Sequence, residues 1–322
     1  MTKPQIFIDG QEGTTGLRIR EMLKPRRDVE VLLIPESQRK EREVRAEFLN
    51  RADVAILCLP DDAAAEALEL IDNPKTKVID TSTVRRVDEN WTYGLPEIST
   101  EHRDAIRSAS RVANCGCYPV SFILAVRPLI EAGLLRADAP LTINAASGYS
   151  GGGRKMIEQY DAAAPAKKEG DARLPLSLYG LTGPHKHVPE MWKFSLVQQA
   201  PIFVPSVDHS LCGMVVSTPV PAPYFTRESI SLTDIYDIWR AAYAQAPMVR
   251  LVNPADSKDA LRGAFLDLDA LSYGNAIELS VWGDERGMIL VGRLDNLGKG
   301  ASGNALQCLN LMLGFEETAG LL

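Results

Sequence analysis

The residue of this sequence best placed for chemistry is Cys117, which stands in the run Asn114-Cys115-Gly116-Cys117-Tyr118-Pro119. The preceding residues 111–113 predict a short strand, and the apolar residues 120–130 predict a helix with Pro119 in its first turn. Cys117 is therefore predicted at a helix N-terminus, where the positive end of the helix favours thiolate over thiol and creates a nucleophile at neutral pH. The alternative is a buried cysteine that only fills the core.

Cysteine number and spacing bear on metal binding and on redox state. The five cysteines are odd in number and unpaired in pattern, which predicts reduced thiols in a reducing compartment. They are Cys58, Cys115, Cys117, Cys212 and Cys308. Cys115 and Cys117 could also bind a metal, but no second cysteine pair stands at zinc-ribbon spacing, so no metal site is expected.

Two histidines, His185 and His187, stand in the run Gly183-Pro184-His185-Lys186-His187-Val188-Pro189-Glu190. The flanking prolines disfavour helix, and residues two apart in an extended chain share one face, so both rings are predicted to point the same way. A base beside Cys117 is needed to form the thiolate and to move the proton of a hemithioacetal oxygen, and either histidine could serve. The alternatives are an exposed loop with two incidental histidines and a metal-binding His-x-His pair.

A glycine-rich run, Gly10-Gln11-Glu12-Gly13-Thr14-Thr15-Gly16, follows the first predicted strand and opens the first predicted helix. Glycines at such a junction permit a tight turn and let the backbone approach a pyrophosphate seated at the helix N-terminus. The spacing is G-x-x-G-x-x-G rather than the commoner G-x-G-x-x-G, and a plain structural turn is the alternative. Nucleotide binding is the favoured interpretation, with five cofactor contacts: Gly10, Gly13, Thr14, Thr15 and Gly16.

The residues after the second predicted strand bear on which dinucleotide binds, because an NAD enzyme often carries an acidic residue there for the ribose. In this sequence Ser37, Arg39 and Lys40 could hold a 2′-phosphate, which favours NADP. Glu36 could instead accept from the 2′-hydroxyl of NAD, and the two cations could be a solvated helix face. We predict NADP, with Ser37 and Arg39 among its contacts.

Two further glycine-rich loops contain candidate binding residues. The loop Ser147-Gly148-Tyr149-Ser150-Gly151-Gly152-Gly153-Arg154-Lys155 combines hydroxyls, free backbone N–H groups and two cations, which predicts a nest for a substrate phosphate. The loop Asp295-Asn296-Leu297-Gly298-Lys299-Gly300-Ala301-Ser302-Gly303 precedes the last predicted helix. It is either a cofactor contact or a simple mobile connector.

The frame that must position these loops follows from hydrophobic periodicity. The first half alternates β-branched runs with amphipathic stretches, which predicts a parallel sheet covered by helices. Strands are predicted at residues 5–9, 29–34, 54–59, 77–80 and 111–113, with helices at 14–24 and 61–71. From residue 141, strand-like runs such as 215–218 and 277–282 and a helix over 232–244 predict a mixed α+β domain. Residues 161–175 are predicted to be an exposed excursion, and a final helix covers 304–313.

A length of 322 residues suits two domains of about 150 residues each. The predicted class is α/β, with a Rossmann-like parallel-sheet nucleotide-binding domain at residues 1–117, completed by a C-terminal helix at 301–322. Residues 118–300 are predicted to form an α+β catalytic and dimerisation domain.

Composition excludes several classes of protein. Hydrophobic residues make up 45% and charged residues 24% of the chain, as in an ordinary globular protein. The 35 basic residues are scattered and are outnumbered by 42 acidic ones, for a net charge of −7, so no nucleic-acid partner is expected. Neither a membrane-spanning apolar run nor a signal-peptide apolar region is present, which predicts a cytoplasmic protein without a membrane partner.

Taken together, the motifs resemble the N-acetyl-γ-glutamyl-phosphate reductases, in particular their shorter subtype, which is related to the aspartate-semialdehyde dehydrogenases. The segments that carry the resemblance span nearly the whole chain and are Gly10–Gly16, Tyr93-Gly94-Leu95-Pro96-Glu97, Gly116–Pro119, the loop beginning at Ser147, Pro184–Glu190 and Asp295–Gly303.

The resemblance implies an arginine-biosynthesis enzyme that reduces N-acetylglutamyl 5-phosphate with NADPH, releases phosphate and works as a homotetramer. It implies that Cys117 is the nucleophile, with a thioester as intermediate, and that His185 or His187 is the acid/base. The expected substrate contacts are Asn114, Ser147, Gly148, Ser150, Arg154 and Glu190. The expected additional cofactor contacts are Asn296, Gly298 and Gly300.

The sequence departs from the family pattern at two positions. Cys115 stands where the family usually has proline, and Gly152 replaces a frequent alanine. Neither change removes a chemical group from catalysis. Two rivals remain: another acyl-phosphate reductase, of the aspartyl, aminoadipyl or glyceraldehyde type, and a nucleotide-sensing module that has lost catalysis.

Overall fold

The structure is a computed structural model that describes residues 2–163 and 176–322. Within that part of the chain the helices are α1 Thr14–Leu23, α2 Arg42–Arg51, α3 Asp61–Glu69, α4 Thr100–Ser108, α5 Cys117–Glu131, α6 Gly153–Ala163, α7 Val188–Ser195, α8 Leu232–Ala242 and α9 Gly303–Leu313. The strands are β1 Gln5–Asp9, β2 Glu30–Leu32, β3 Val54–Leu57, β4 Lys77–Asp80, β5 Thr92–Gly94, β6 Arg111–Asn114, β7 Thr142–Gly148, β8 Ser177–Leu178, β9 Ile202–Asp208, β10 Met214–Pro221, β11 Val249–Leu251, β12 Ile277–Asp284 and β13 Gly287–Leu294. Of the predicted excursion over 161–175, residues 164–175 lie outside the described residues, and residues 161–163 end α6.

The chain divides into two compact units. The first unit is Met1–Cys115 with Ala301–Leu322, and the second is Gly116–Gly300. The functions that the sequence analysis assigned to its two domains, and its division after residue 117, stay predictions.

The first unit is built on a parallel sheet of six strands in the order β2-β1-β3-β4-β6-β5. Every residue of β3 is buried, as expected of a central strand with helices on both faces. Phe7 of β1 packs with Leu49 of α2 and Leu57 of β3 in one hydrophobic cluster. The predicted Rossmann-like parallel sheet is confirmed.

Three elements of this unit, α2, α4 and β5, have no counterpart in the sequence analysis. Both helices are rich in charged residues, so they lack the broad apolar stripe that predicts a helix. Strand β5 has only three residues at the edge of the sheet, too few for a recognisable alternation.

The second unit is built on a mixed sheet of seven strands in the order β11-β12-β13-β10-β7-β9-β8, which confirms the predicted α+β character. Helix α5 packs on one face of this sheet, where a Cβ atom at Gly292 of β13 would lie 2.6 Å from the hydroxyl oxygen of Ser121. Helix α8 is tied to α5 because the indole of Trp239 donates to the carbonyl of Ala125 at 3.0 Å. The helix that begins at Cys117 is thus fixed from two sides.

Candidate active site

Cys117 is the first residue of α5 and is half-buried, so the predicted helix N-terminus is confirmed. Gly116 is the N-cap and has no side chain to accept from the N–H groups of the first turn. The first N–H groups of a helix have no partner within the helix, and together they carry its positive end. Their position beside the thiol favours a thiolate and suits an oxyanion that forms there.

Gly300 lies directly against Cys117. A Cβ atom at position 300 would lie 2.6 Å from the Cβ atom and 3.2 Å from the Cα atom of Cys117. The N–H of Gly300 donates to the carbonyl of Asp295 at 3.1 Å, and the Asp295 carboxylate accepts from the N–H groups of Leu297 and Gly298. The 295–300 loop is therefore internally braced rather than a simple mobile connector.

Glu190 is buried and holds the loop that leads to the cysteine. Its carboxylate accepts from the N–H of Gly116 at 3.0 Å. Because Gly116 is the N-cap of α5, this bond fixes the backbone one residue before Cys117. The contact supports a positioning role, whereas the predicted substrate contact of Glu190 stays a prediction.

The two histidines do not lie in extended chain, and that prediction is wrong. His187 has helical backbone angles and precedes α7, and Pro189 occupies the second position of that helix, where a missing N–H costs little. The N–H of Val188 donates to the carbonyl of His185 at 2.9 Å, which closes a turn. The turn still places the rings together, with centroids 4.7 Å apart and planes at 80°.

Tyr118 joins this cluster through its ring and its hydroxyl. Its ring centroid lies 5.9 Å from that of His185 and 5.8 Å from that of His187. Its hydroxyl lies 2.7 Å from the hydroxyl of Ser147 and 2.8 Å from that of Tyr179. Sequence reasoning missed Tyr118 and Tyr179. The position of Tyr118 next to the nucleophile was a usable signal, but Tyr179 has no local one.

Both phenols stay protonated across the neutral range. Burial raises the pKa of Tyr118 and of Tyr179 far above the usual value for tyrosine. Negative charge on Cys117 acts in the same direction on the pKa of each. These hydroxyls can therefore donate hydrogen bonds in the neutral range but cannot act as bases.

The predicted anion nest is wrong for the start of the serine–glycine loop. The N–H groups of Gly148, Tyr149 and Ser150 donate to the carbonyls of Gly213, Ser210 and Leu211 at 2.8 to 3.0 Å. They are thus not free for a phosphate. The bonds instead fix the end of β7, which carries Ser147 and Gly148.

The other predicted residues of this loop differ in exposure. Ser150 is buried, and its hydroxyl accepts from the Nδ2 of Asn296 at 3.0 Å. The Oδ1 of Asn296 accepts from the N–H of Gly213 at 2.9 Å, so both ends of the Asn296 amide are hydrogen-bonded, one to Ser150 and one to Gly213. Arg154 is exposed in the first turn of α6, where it pairs with Glu158 at 2.9 Å. Exposed pairs of this kind are weak, which leaves the guanidinium able to bind an anion.

Asn114 ends β6 in the first unit, where its amide is used internally. Its Nδ2 donates to the carbonyl of Ala301 at 3.1 Å, and its Oδ1 accepts from the Nδ2 of Asn304 at 2.7 Å. These bonds secure α9 against the end of β6. The predicted substrate contact of Asn114 stays untested.

The glycine loop of the first unit has the geometry of a dinucleotide cradle. Gly10 has φ +89°, and a Cβ atom there would lie 2.3 Å from the carbonyl oxygen of Cys58. A Cβ atom at Gly16 would lie 2.3 Å from the carbonyl oxygen of Gly10. Gly13 is the N-cap of α1 and has no side chain, so the N–H groups of Thr14 and Thr15 begin an uncapped helix. Such a terminus fits a pyrophosphate.

Ser37 and Arg39 lie in a short 3₁₀ turn, Glu36–Gln38, and at its end. Ser37 is exposed, and Arg39 is partly exposed. Arg39 pairs with Glu36 only at 3.9 Å, and the Glu36 side chain is 82% exposed. This ion pair is weak, so the guanidinium can meet another anion.

Among residues 2–163 and 176–322 there is no group of three or more His, Cys, Asp or Glu side chains that could hold a metal ion. No helix in the same ranges is long and apolar enough to cross a membrane.

Comparison with known families matches both units. Residues 5–107 match the family described as "Semialdehyde dehydrogenase, NAD binding domain", and residues 117–296 match "Semialdehyde dehydrogenase, dimerisation domain". The chain therefore binds a nicotinamide cofactor.

Curated relatives match over their full length. The chain is 44% identical to "N-acetyl-gamma-glutamyl-phosphate reductase 2" of Nostoc sp., with 100% of both chains covered. It is 45% identical to the N-acetyl-gamma-glutamyl-phosphate reductase of Mesorhizobium japonicum, with 97% of this chain and 100% of the relative covered.

Solved structures share the fold at low identity. Aspartate semialdehyde dehydrogenase II of Vibrio cholerae superposes with a TM-score of 0.73 at 17% identity, covering 98% of this chain and 99% of that one. The aspartate semialdehyde dehydrogenase of Francisella tularensis gives 0.70 at 13% identity, covering 96% of this chain and 100% of that one. These matches show the fold. The full-length identity to the curated relatives and the two family matches show that the chain belongs to the N-acetyl-γ-glutamyl-phosphate reductase family within the semialdehyde dehydrogenases.

Proposed function

We propose that this protein reduces N-acetyl-L-glutamyl 5-phosphate to N-acetyl-L-glutamate 5-semialdehyde and phosphate with NADPH, as a step of arginine biosynthesis. The observation that carries the proposal is the placement of Cys117 at the N-terminus of α5, in a unit that also joins Tyr118 to His185 and His187. The family of the chain supplies the substrate class.

The first step forms a covalent bond to the protein. The Cys117 thiolate attacks the acyl carbon of the substrate, the bond from that carbon to the phosphate oxygen breaks, and phosphate leaves. The product is a thioester, which keeps the acyl group reactive after the charged phosphate has departed. The N–H groups at the start of α5 stabilise the oxyanion of this step.

NADPH bound to the first unit would supply the hydride that reduces the thioester carbon to a hemithioacetal. Breakage of the carbon–sulfur bond then releases the aldehyde and restores the Cys117 thiolate. His185 or His187 moves the proton of the hemithioacetal oxygen, and the one proton consumed overall ends on phosphate. The turn that holds both rings together supports this role for the pair.

The cofactor proposal rests on the cradle of the first unit. Gly10, Gly13 and Gly16 let the backbone of the turn pack closely on itself and on Cys58, and Thr14 and Thr15 begin the helix whose N-terminus is proposed to face the pyrophosphate. Asn296, Gly298 and Gly300 are proposed as contacts of the nicotinamide half through their backbone, because the Asn296 side chain is already bonded at both ends. Ser37 and Arg39 are proposed to bind the 2′-phosphate that distinguishes NADP from NAD.

The substrate proposal rests on the end of β7 and the start of α6. Ser147 bonds the Tyr118 hydroxyl, Gly148 follows it at the end of β7, and Arg154 is the cation proposed for the substrate phosphate. Three further residues are proposed to act mainly by positioning. Ser150 bonds Asn296, Glu190 fixes Gly116, and Asn114 secures α9 against the end of β6.

We further propose a cytoplasmic homotetramer. On the sheet of the second unit, Pro219, Trp282 and Ile289 are cross-strand neighbours in one row, and Ile289 is 41% exposed. Gly292, three residues from Ile289, points to α5, so this row is on the opposite face of the sheet. An exposed apolar row of this kind is typical of a subunit interface. Light scattering should give a tetramer for the wild type and a smaller species for Ile289→Lys.

The activity is tested in the reverse direction with N-acetylglutamate semialdehyde, phosphate and NADP, following NADPH absorbance. Activity should require all three and should be lost in Cys117→Ala, while Cys308→Ala, which changes a buried cysteine of the first unit, should keep it. Equal or greater turnover of aspartate semialdehyde would assign the chain to the rival substrate class. Turnover that survives Cys117→Ala would exclude the thioester mechanism, and binding of NADP without any turnover would favour a sensing module.

A further inference from the structure

Tyr118 connects three segments of the second unit through its hydroxyl. It belongs to the first turn of α5, and its hydroxyl lies 2.7 Å from that of Ser147 at the end of β7. On the other side it lies 2.8 Å from the hydroxyl of Tyr179, directly after β8. Tyr179 stands six residues before His185 on the segment that carries the histidine pair.

The ring of Tyr118 also meets both candidate bases. It lies edge-on to His185, with an interplanar angle of 87°, and tilted to His187 at 58°. Phe203 of β9 packs against Tyr118 at 4.9 Å and against His185 at 5.2 Å between ring centroids. Tyr179 contacts His185 as well, at 5.6 Å. Ring packing of this kind fixes orientation, because aromatic pairs prefer edge-to-face geometry.

The three hydroxyls form a chain whose hydrogens can be counted. Each hydroxyl has one hydrogen, so three hydrogens serve the two bonds between Ser147, Tyr118 and Tyr179. One hydrogen is always left over. When Tyr118 donates to Tyr179, the hydrogen that makes no bond in this chain is that of Tyr179. When Tyr118 donates to Ser147, it is that of Ser147. When both neighbours donate to Tyr118, it is that of Tyr118.

We propose that Tyr118 is a positioning residue for the cysteine–histidine pair, because its hydroxyl ties the substrate loop at Ser147 to the histidine segment at Tyr179. This inference rests on the proposed function and deepens it. Residue 118 directly follows the proposed nucleophile. The turn of helix that positions Cys117 therefore also positions the ring that contacts His185 and His187. Among the described residues, Tyr118 and Tyr179 interact electrostatically with Cys117, His185 and His187 contact the Tyr118 ring, and Glu190 accepts from the N–H of Gly116. The loop that packs against Cys117 through Gly300 also contains two buried charged residues, Asp295 and Lys299.

Tyr118→Phe is the direct test, because it keeps the ring and removes both hydroxyl bonds. We expect kcat for the semialdehyde to fall about tenfold or more, as loss of two buried neutral bonds implies, with a smaller change in KM. The pH at which Cys117 becomes reactive to iodoacetamide should rise toward the ordinary thiol value of about 8.5, because the ring contacts remain but the hydroxyl tie from Ser147 through Tyr118 and Tyr179 to the histidine segment is lost. Mass spectrometry of the alkylated peptide assigns the reaction to Cys117.

Tyr243→Phe is the matched control. The Tyr243 hydroxyl is also buried and also bonds to α5, donating to the carbonyl of Leu124 at 2.5 Å. Its loss should lower the melting temperature about as much as Tyr118→Phe does, without moving the pH profile of alkylation. A purely structural role for Tyr118 predicts the same behaviour for both variants, and that result would overturn the proposal.

A double-mutant cycle tests whether the hydroxyls act as one chain. If they do, the double variant Tyr118→Phe/Tyr179→Phe should lose little more kcat than Tyr118→Phe alone. If the two losses of kcat multiply, the hydroxyls act independently and do not form one chain. The alkylation profile needs no substrate, so the two proposals fail separately. If the wild type does not turn over the semialdehyde but Tyr118→Phe still shifts the pH of alkylation, only the proposed function is rejected. If the wild type is active but Tyr118→Phe does not shift the pH of alkylation, only the role of Tyr118 is rejected.

Discussion

Gly300 packs so closely against Cys117 that a side-chain carbon at position 300 would lie 2.6 Å from the Cβ atom of the nucleophile. The contact is to the stem of the cysteine and to its Cα atom, not to the end of a flexible side chain. Any residue other than glycine must therefore displace the nucleophile, the loop, or both. The glycine is required here by close approach, since no positive φ is recorded at this position.

Gly300→Ala should abolish most activity, with kcat/KM falling about 100-fold, because a shift of about 1 Å at a reacting group is enough for such a loss. The purified variant should keep its circular dichroism spectrum. Gly183→Ala is the control, because a Cβ atom there meets nothing within 4 Å, and it should stay active. Full activity in Gly300→Ala would show that the contact does not fix Cys117.

Glu190 should tolerate glutamine better than alanine. Glutamine keeps an oxygen that accepts from the N–H of Gly116, whereas alanine leaves that buried group without a partner at a cost of about 1–3 kcal/mol. We expect Glu190→Gln to retain most activity and Glu190→Ala to lose tenfold or more, with a lower melting temperature. Equal losses in both variants would mean that the carboxylate charge matters beyond the bond to Gly116.

Alkylation should separate the cysteines by pH. Burial raises the pKa of the Cys58 thiol to about 12, so at pH 7–9 Cys58 stays a protonated thiol and should not react. Iodoacetamide should label Cys117 first, and substrate should protect it. Labelling of Cys58 at neutral pH, located by peptide mass spectrometry, would contradict this assignment.

The same shift predicts a loss of stability in alkali. The unfolded chain ionises Cys58 near pH 8.5–9, whereas the folded chain does so only at about 12. Between these values the unfolded state is favoured by ionisation, so this contribution to stability is complete below pH 8 and falls as the pH rises. Denaturant unfolding of Cys58→Ala should show a shallower decline from pH 8.5 to 10 than the wild type, and an unchanged slope would contradict the prediction.

Arg39 should control the choice of dinucleotide. Its pair with Glu36 is long and exposed, so its removal costs the fold little. Arg39→Ala should weaken NADPH binding about tenfold while leaving NADH nearly unchanged, because only NADPH carries the 2′-phosphate. Arg27→Ala, an exposed cation of the same unit, is the control for overall charge. If the variant weakens binding of NADPH and NADH equally, Arg39 does not bind the 2′-phosphate.

Local sequence signals predicted the parts of the site that depend on one junction. The strand-to-helix position of Cys117 and the glycine turn before α1 follow from residues within about ten positions, and both are found in the structure. The same kind of reasoning failed at His185 and His187, because Pro189 begins a helix instead of preventing one. It also failed at the serine–glycine loop, whose N–H groups are used by carbonyls more than 60 residues away.

The sequence by itself determined the α/β class, the helix-terminal place of Cys117 and the family, since these depend on periodicity and on short motifs. Only the tertiary structure decided which side chains meet the residues on either side of Cys117. Tyr118 bonds to Ser147 and Tyr179 across 29 and 61 residues, and Gly116 bonds to Glu190 across 74. Such contacts form when α5 packs on the seven-stranded sheet, and no local pattern specifies them because their partners are chosen by packing, not by spacing along the chain.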